Sequence, residues 1–289
     1  MIHSPPAAPD TDSLRVVLVG DVVGKPGLRA AVSAGLWFRR ELKAECLLAN
    51  AENVADGAGI RGADYRRLMQ AGYHGLTLGD HIYKKKEALD LLSTTQNIVR
   101  PCNMPPGAVG KTSMILKVKE GVYVAVISAL GRVFMKPIDC PLLAVQHVLD
   151  GLSTEVKIRI VDFHAEATSD KQVMGRFLDG RVSAVLGTHT HVTTADEQIL
   201  PGKTGFHCDV GMTGPFDSII GRDVAAVVES TLTSLPLPYH VAKDDVRVSA
   251  TWVDVNIQSG QCNRIGRLSL RQADLDEYNA LMTPGTSRL

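Results

Sequence analysis

A chain of 289 residues suits one large α/β enzyme domain, and 45% hydrophobic against 5% aromatic content describes a core of aliphatic side chains. Thirty-one basic residues balance thirty-one acidic ones, which excludes a global field drawing the protein to nucleic acid or a membrane surface. The five cysteines (Cys46, Cys102, Cys140, Cys208 and Cys262) never form a CxxC, which argues against a disulfide framework or a zinc ribbon and for a reducing, cytoplasmic location.

The opening "MIHSPPAAPDTDS" has no basic start followed by an apolar stretch, and it reads as a disordered leader over residues 1–13. No apolar run reaches the roughly eighteen residues that a membrane span needs. "LRVVLVGD", Leu14 to Asp21, is a buried strand closed by glycine and an acid. Pro26 opens a helix to about Leu42. "CLLANAEN", Cys46 to Asn53, is a second strand with a polar end, and Asp64–Ala71 reads as a helix. "HGLTLGDH", His74 to His81, is a third strand, followed by a helix over Lys84–Leu92.

Further on, "TSMILKV" and "YVAVISAL" flank "KEGV", where Gly121 suits a hairpin turn. Pro141 starts a helix to about Leu152, and "VKIRIVDFH", Val156 to His164, is another strand with a polar end. "SAVLGTHTH" and "TGFHCDVG" are the next two strands. "VRVSATWVDVNI" and "RIGRLSL" form a closing antiparallel pair with one face exposed. The reading is a single domain over residues 14–272 and a C-terminal tail over 273–289.

Five of these strands end in metal-ligand chemistry: Asp21; Glu52 and Asn53; Asp80 and His81; His164; His189 and His191. Each has an ordinary explanation when taken singly. An aspartate after glycine serves turns, Asn53 suits a helix cap, and His164 suits a satisfied core position. As a set they match the rule that ligands collect outside the carboxyl ends of α/β strands. If His189 and His191 lie on extended chain, their rings share one face. Imidazoles and carboxylates without thiolate suit manganese, iron or zinc. The set exceeds what one tetrahedral ion uses, and two bridged ions use it fully. His3, His74, His147, His207 and His240 fall outside the set and are read as structural.

The segments "GDVVGKPG", "NAENVADGAGI", "GDHIYKKKE", "VDFHAEATSDK" and "GTHTHVTTADEQILPGKTGFHCDVGMTGPFDSIIG" resemble the YmdB-like branch of the calcineurin-like metallophosphoesterases, from Leu14 to about Leu270. The resemblance implies a four-layer α/β/β/α sandwich with a di-metal site at the strand ends. It further implies hydrolysis of cyclic nucleotides of the 2′,3′ type by a metal-bridging hydroxide. Carried over position by position, Asp21, Glu52, Asn53 and His191 would hold one ion and Asp80, His164 and His189 the other, with Glu52 bridging. The ions would be a divalent or mixed-valence pair, iron or manganese first and zinc next. His81 would be the catalytic histidine, protonating the leaving alkoxide, or else a residue that only orients the nucleophile.

The family pattern reads Gly-Asn-His where this chain has Gly79-Asp80-His81. The aspartate leaves the site one positive charge poorer, which weakens its hold on phosphate and its acidification of a bound water. A phosphomonoesterase on the same site is one alternative, and a metal-bound regulatory sensor with little turnover is another. Expected partners are a small nucleotide phosphodiester, RNA-processing machinery and further copies of the chain in a homo-oligomer, with no membrane. No residue is assigned to substrate binding.

Overall fold

The computed structural model describes residues 5–282. In chain order the first elements are β1 (Ser13–Val19), α1 (Gly24–Arg40), β2 (Cys46–Asn50), α2 (Gly62–Gln70), β3 (Gly75–Thr77), α3 (Glu87–Thr94) and β4 (Ile98–Val99). The middle holds β5 (Ser113–Lys119), β6 (Val122–Leu130), α4 (Pro141–Asp150), β7 (Ile158–His164), α5 (Thr168–Phe177) and β8 (Ala184–Thr188). The last part holds β9 (Gln198–Ile199), β10 (Gly205–His207), β11 (Gly214–Pro215), α6 (Val224–Thr233), β12 (Val246–Asn256), β13 (Cys262–Arg271) and α7 (Gln272–Met282).

These strands form two sheets. One runs β11-β12-β1-β2-β3-β4 with β13 paired to β12, and the other runs β5-β6-β7-β8-β10-β9. The strands β1 to β4 are parallel, as are β6, β7, β8 and β10, so the carboxyl ends within each parallel set share one edge.

Period-two alternation decides which core each side chain enters. In β1, Val17 and Val19 join a core with Leu28, Trp37 and Phe38 of α1, Leu68 of α2, Leu92 of α3 and Leu275 of α7. The intervening Leu14, Val16 and Leu18 turn the other way. They meet Val124 and Val126 of β6, Ile158 and Ile160 of β7 and Leu186 of β8, so this second core lies between the sheets. The opposite face of the second sheet, with Val161, Phe163 and Val185, packs on Val145 of α4 and Met174 of α5. At about 25 cal/mol per Å² of apolar surface removed from water, these three cores supply most of the drive to fold. Arg15, fully buried on β1, is held by a bidentate pair with Asp254 at 2.6 and 2.7 Å and lies over Trp252 at 4.5 Å.

The structure departs from the sequence reading at several places. The leader is anchored within the described residues: the Ala7 carbonyl accepts from Arg15, Asp12 accepts from Asn256, and Ser13 is buried in β1. Residues 1–4 of it lie outside the described residues. The expected tail is helix α7 as far as Met282, with Leu275 buried, Tyr278 donating to Glu41 of α1's C-cap and Asn279 donating to the Ser33 carbonyl. Residues 283–289 lie outside the described residues. In the closing pair, β12 is buried on both faces because Val248 and Ala250 enter the helix-side core and Val253 and Val255 the core between the sheets, and only β13 alternates outward. Finally, the third strand stops at Thr77, so Asp80 and His81 stand on the turn after it.

Candidate metal centre

The eight residues singled out in the sequence all lie at the carboxyl ends of parallel strands. Asp21 follows β1, Glu52 and Asn53 follow β2, and Asp80 and His81 follow β3, all in the first sheet. His164 ends β7, and His189 and His191 follow β8, in the second sheet. One sheet therefore brings every carboxylate and the other brings three imidazoles.

Ligand atoms of Glu52, Asp80, His164 and His189 lie within 4.8 Å of one another. His164 Nε2 is 3.1 Å from Glu52 Oε1, 3.3 Å from Asp80 Oδ1 and 3.0 Å from His189 Nδ1. Asn53 Nδ2 joins a second group, 3.2 Å from His191 Nε2 and 3.0 Å from Glu52 Oε1. Asp21 Oδ2 accepts the His189 backbone N–H at 3.0 Å, while Asp21 Oδ1 faces His164 Nδ1 at 3.7 Å and His191 Nε2 at 4.0 Å. His81 Nδ1 sits 3.0 Å from Asn53 Oδ1 and 3.3 Å from Glu52 Oε1.

The two histidines after β8 arrive by a route that period two does not describe. The strand ends at Thr188, and His189 and His191 have φ of 101° and 66°, in the left-handed region that non-glycine residues rarely occupy. Asp209 holds this turn: its Oδ2 accepts from Thr190 N at 3.1 Å, Thr190 Oγ1 at 2.8 Å and Lys171 Nζ at 2.6 Å. Lys171 and Asp209 are both almost wholly buried, so each needs the other.

A buried polar network sits beneath the cluster and crosses between the sheets. Asp162 of β7 accepts from Asn50 Nδ2 of β2 at 3.0 Å, from Thr77 Oγ1 of β3 and from Thr188 Oγ1 of β8 at 2.6 Å. Because Thr188 gives its proton to Asp162, it accepts from His164 Nδ1 at 2.9 Å. That fixes His164 Nδ1 as protonated and turns Nε2 toward the carboxylates as the ligand atom. Gly79 completes the cradle, since a Cβ there would lie 2.3 Å from Glu52 Oε2 and 2.4 Å from the His164 ring.

Electrostatics mark the cluster as a place for positive charge. Burial lifts the Asp21 carboxyl to about 6, against the pull of His191 and His164. Burial also acts to raise Glu52, but His164 and His81 together hold it well below the usual carboxylate range. His164 resists its own burial and is raised well above the ordinary histidine value by Glu52, Asp80 and Asp21. His189 is lowered to about 4 by burial and by His164 beside it, so it is neutral at neutral pH and one of its ring nitrogens keeps a free lone pair. Among the described residues, Asp21 Oδ1 is a buried carboxylate oxygen with no hydrogen-bond donor. Such an oxygen, facing two imidazoles within a set of three acids, is satisfied by a divalent cation, and the nitrogen and oxygen donors fit iron, manganese or zinc.

Residues 17–268 match the sequence profile described as YmdB-like protein. The chain belongs to the family of YmdB-like proteins. This YmdB-like chain is 38% identical over 255 residues to a Bacillus subtilis protein named 2′,3′-cyclic-nucleotide 2′-phosphodiesterase, spanning 88% of the chain and 96% of that relative. Its fold is similar to the crystal structure of a hypothetical protein from Thermus thermophilus, with a TM-score of 0.84, 38% identity and coverage of 89% and 99% of the two chains. A crystal structure of a phosphatase from Mycoplasma pneumoniae matches with a TM-score of 0.84 at 25% identity, covering 92% of this chain and 98% of that one.

Three supporting residues of the YmdB-like chain escaped the sequence reading. Asp162 stands inside the quoted "VDFH" and Asp209 inside "CDVG", and a charged residue within an apolar strand run was the signal for both. Glu166, whose Oε2 is 3.2 Å from His189 Nε2, is half exposed on the loop after β7 and carried no such signal.

Proposed function

We propose that this YmdB-like protein is a dinuclear-metal phosphodiesterase acting on 2′,3′-cyclic nucleotides, built on a four-layer α/β/β/α sandwich. Phosphoester hydrolysis is the activity class that its named relatives share. The observation that carries the reading is the convergence of Asp21, Glu52 and Asp80 with His164, His189 and His191 around a buried carboxylate oxygen that has no donor. The three core clusters, with helices outside each sheet and aliphatics between the sheets, support the layered architecture.

Asp21, Asn53 and His191 would hold one ion and Asp80, His164 and His189 the other, with the Glu52 carboxylate reaching both. When bound, the ions supply positive charge that offsets the phosphate's and lower the pKa of the water that attacks phosphorus. His164 would give up its Nε2 proton to become, with the neutral His189, a lone-pair donor, and Thr188 and Asp162 keep the His164 ring in the required tautomer. The hydrogen bond to Glu52 raises His81 above the ordinary histidine value, which favours its protonated form. Its Nδ1 is engaged by Asn53 and Glu52, and no described residue engages its Nε2, which leaves that atom to protonate the leaving ribose oxygen.

Metal analysis of the purified protein, with hydrolysis of 2′,3′-cyclic nucleotides and of bis-p-nitrophenyl phosphate in added manganese, tests the reading. The expected result is two metal ions per chain and turnover of both diesters, with His81→Ala slowing the cyclic nucleotide by about 10²–10⁴-fold. Bound metal without turnover would replace the enzyme by a sensor. Absence of stoichiometric metal would remove the dinuclear site altogether.

A further inference from the structure

Next to the metal centre the surface opens into a cavity of about 330 Å³ that has Asp80 in its wall. That volume falls within the range of sites for small organic ligands. The rest of the wall is mainly apolar, made by Ile82, Met104, Leu130, Met135 and Ile138. The Tyr83 hydroxyl is spent on the Val109 carbonyl at 2.7 Å, so no side-chain amide or free hydroxyl faces the space. Lys84 and Lys136 are the cationic members of the lining.

One wall is formed in advance by a single buried amide. Asn103 Nδ2 donates to the Leu130 carbonyl at 2.9 Å and to the Asp139 carbonyl at 3.0 Å, and its Oδ1 accepts the Leu130 N–H at 2.9 Å. The segment from Gly131 to Ile138 is thereby clamped at both ends. Asp170 of α5 adds a further hold by accepting the N–H groups of Arg132 and Val133 at 2.9 and 3.0 Å. A wall fixed in this way keeps its shape without substrate, which lowers the ordering cost of binding.

We propose that this cavity receives the nucleobase of the substrate and that it does so with little preference among bases, an inference that rests on the phosphodiesterase reading above. A phosphate held by the residues around Asp80 and His81 would stand beside the cavity, since Asp80 is part of its wall, and the base is the flat apolar part of a nucleotide that can extend into it. Methionine side chains adapt to flat rings of different outline. Reading a base edge needs donors and acceptors in fixed places, whereas the side-chain donors of this lining, Lys84 and Lys136, are ammonium groups on long flexible stems. The cavity therefore contributes affinity for any nucleobase while the metal centre contributes the chemistry.

Steady-state kinetics of the metal-loaded protein on 2′,3′-cyclic AMP, 2′,3′-cyclic CMP and the base-free ribose 2′,3′-cyclic phosphate tests this. The two nucleotides should agree in kcat/KM within about fivefold, and the base-free sugar should have a KM at least about tenfold higher at similar kcat. A Met104→Ala/Ile138→Ala variant should raise KM for both nucleotides about tenfold, keep kcat within about twofold, and leave the constants of the sugar unchanged. Equal KM for nucleotide and sugar in the natural protein overturns the proposal without needing any variant. A preference above about a hundredfold between the two nucleotides overturns the claim of base tolerance. If none of the three is turned over, the phosphodiesterase reading fails by itself. The cavity is then judged by calorimetric titration of AMP against ribose 5-phosphate, where equal affinities overturn it.

Discussion

Asp80 stands where the resemblance drawn from the sequence implies an asparagine, and its surroundings favour its anionic form. Its Oδ1 lies 3.3 Å from His164 Nε2, 3.7 Å from His189 Nδ1 and 3.8 Å from His81 Nδ1. Burial favours its neutral form, yet the hydrogen bond to His164 and the neighbouring imidazoles hold it below the usual aspartate value. An asparagine there would return one unit of positive charge to the site. Asp80→Asn should therefore strengthen inhibition by inorganic phosphate several-fold and alter metal affinity and turnover. Inhibition constants and metal content measured side by side check this, and identical values in both proteins would end the charge argument. At this scale the sequence revealed the groups that touch an ion but little of what orients them. Asp162 looks like one more residue of a strand until Asn50, Thr77 and Thr188 are seen to donate to it across the sheets.

Strands were legible where an apolar run ended in polar residues, which is why β1, β2, β7 and β8 were found near their observed positions. Helix α5 was not, because Lys171 faces the core and Gly175 packs against Phe206, so its buried stripe does not read as apolar. Helix α6 has no buried residue and hence no stripe at all, and β4, β9 and β11 are two residues long, too short for any period. The turn after β8 shows the limit most clearly. Its histidines were placed by assuming extended chain, whereas Asp209 and Lys171, brought from other elements, hold them in left-handed conformations. The element-scale counterpart is the carboxylate on β7 that fixes the His164 ring through Thr188. Asp162→Asn should lower metal affinity by about 10–100-fold while leaving each ligand in place. Competition titration with a metal indicator reads the effect, and a variant that keeps full affinity would reduce Asp162 to a packing residue.

Across the whole molecule, histidines outside the site should set part of the acid stability. His74 Nδ1 accepts the Leu47 N–H at 3.0 Å, and His207 is buried between Thr251 Oγ1 and the Thr194 carbonyl. Burial is the main cause that lowers both below the ordinary value of 6.5. The folded state therefore binds fewer protons than the unfolded chain below about pH 6.5, so their contribution to stability is present above that pH and is lost as pH falls through the lowered values. Urea denaturation of metal-free protein between pH 7.5 and 5.5 should show falling stability, and His74→Gln/His207→Gln should flatten the slope. A slope unchanged in the double variant would assign the acid sensitivity elsewhere. The division of ligands between the sheets has a consequence of its own. Neither half of the molecule carries a complete set: the acids repel one another on one side, and three imidazoles wait on the other. On the proposed assignment a cation acts as a rivet through the seam, so loading the site and fastening the two halves are one equilibrium. A chelator would then loosen that joint as well as silence the chemistry.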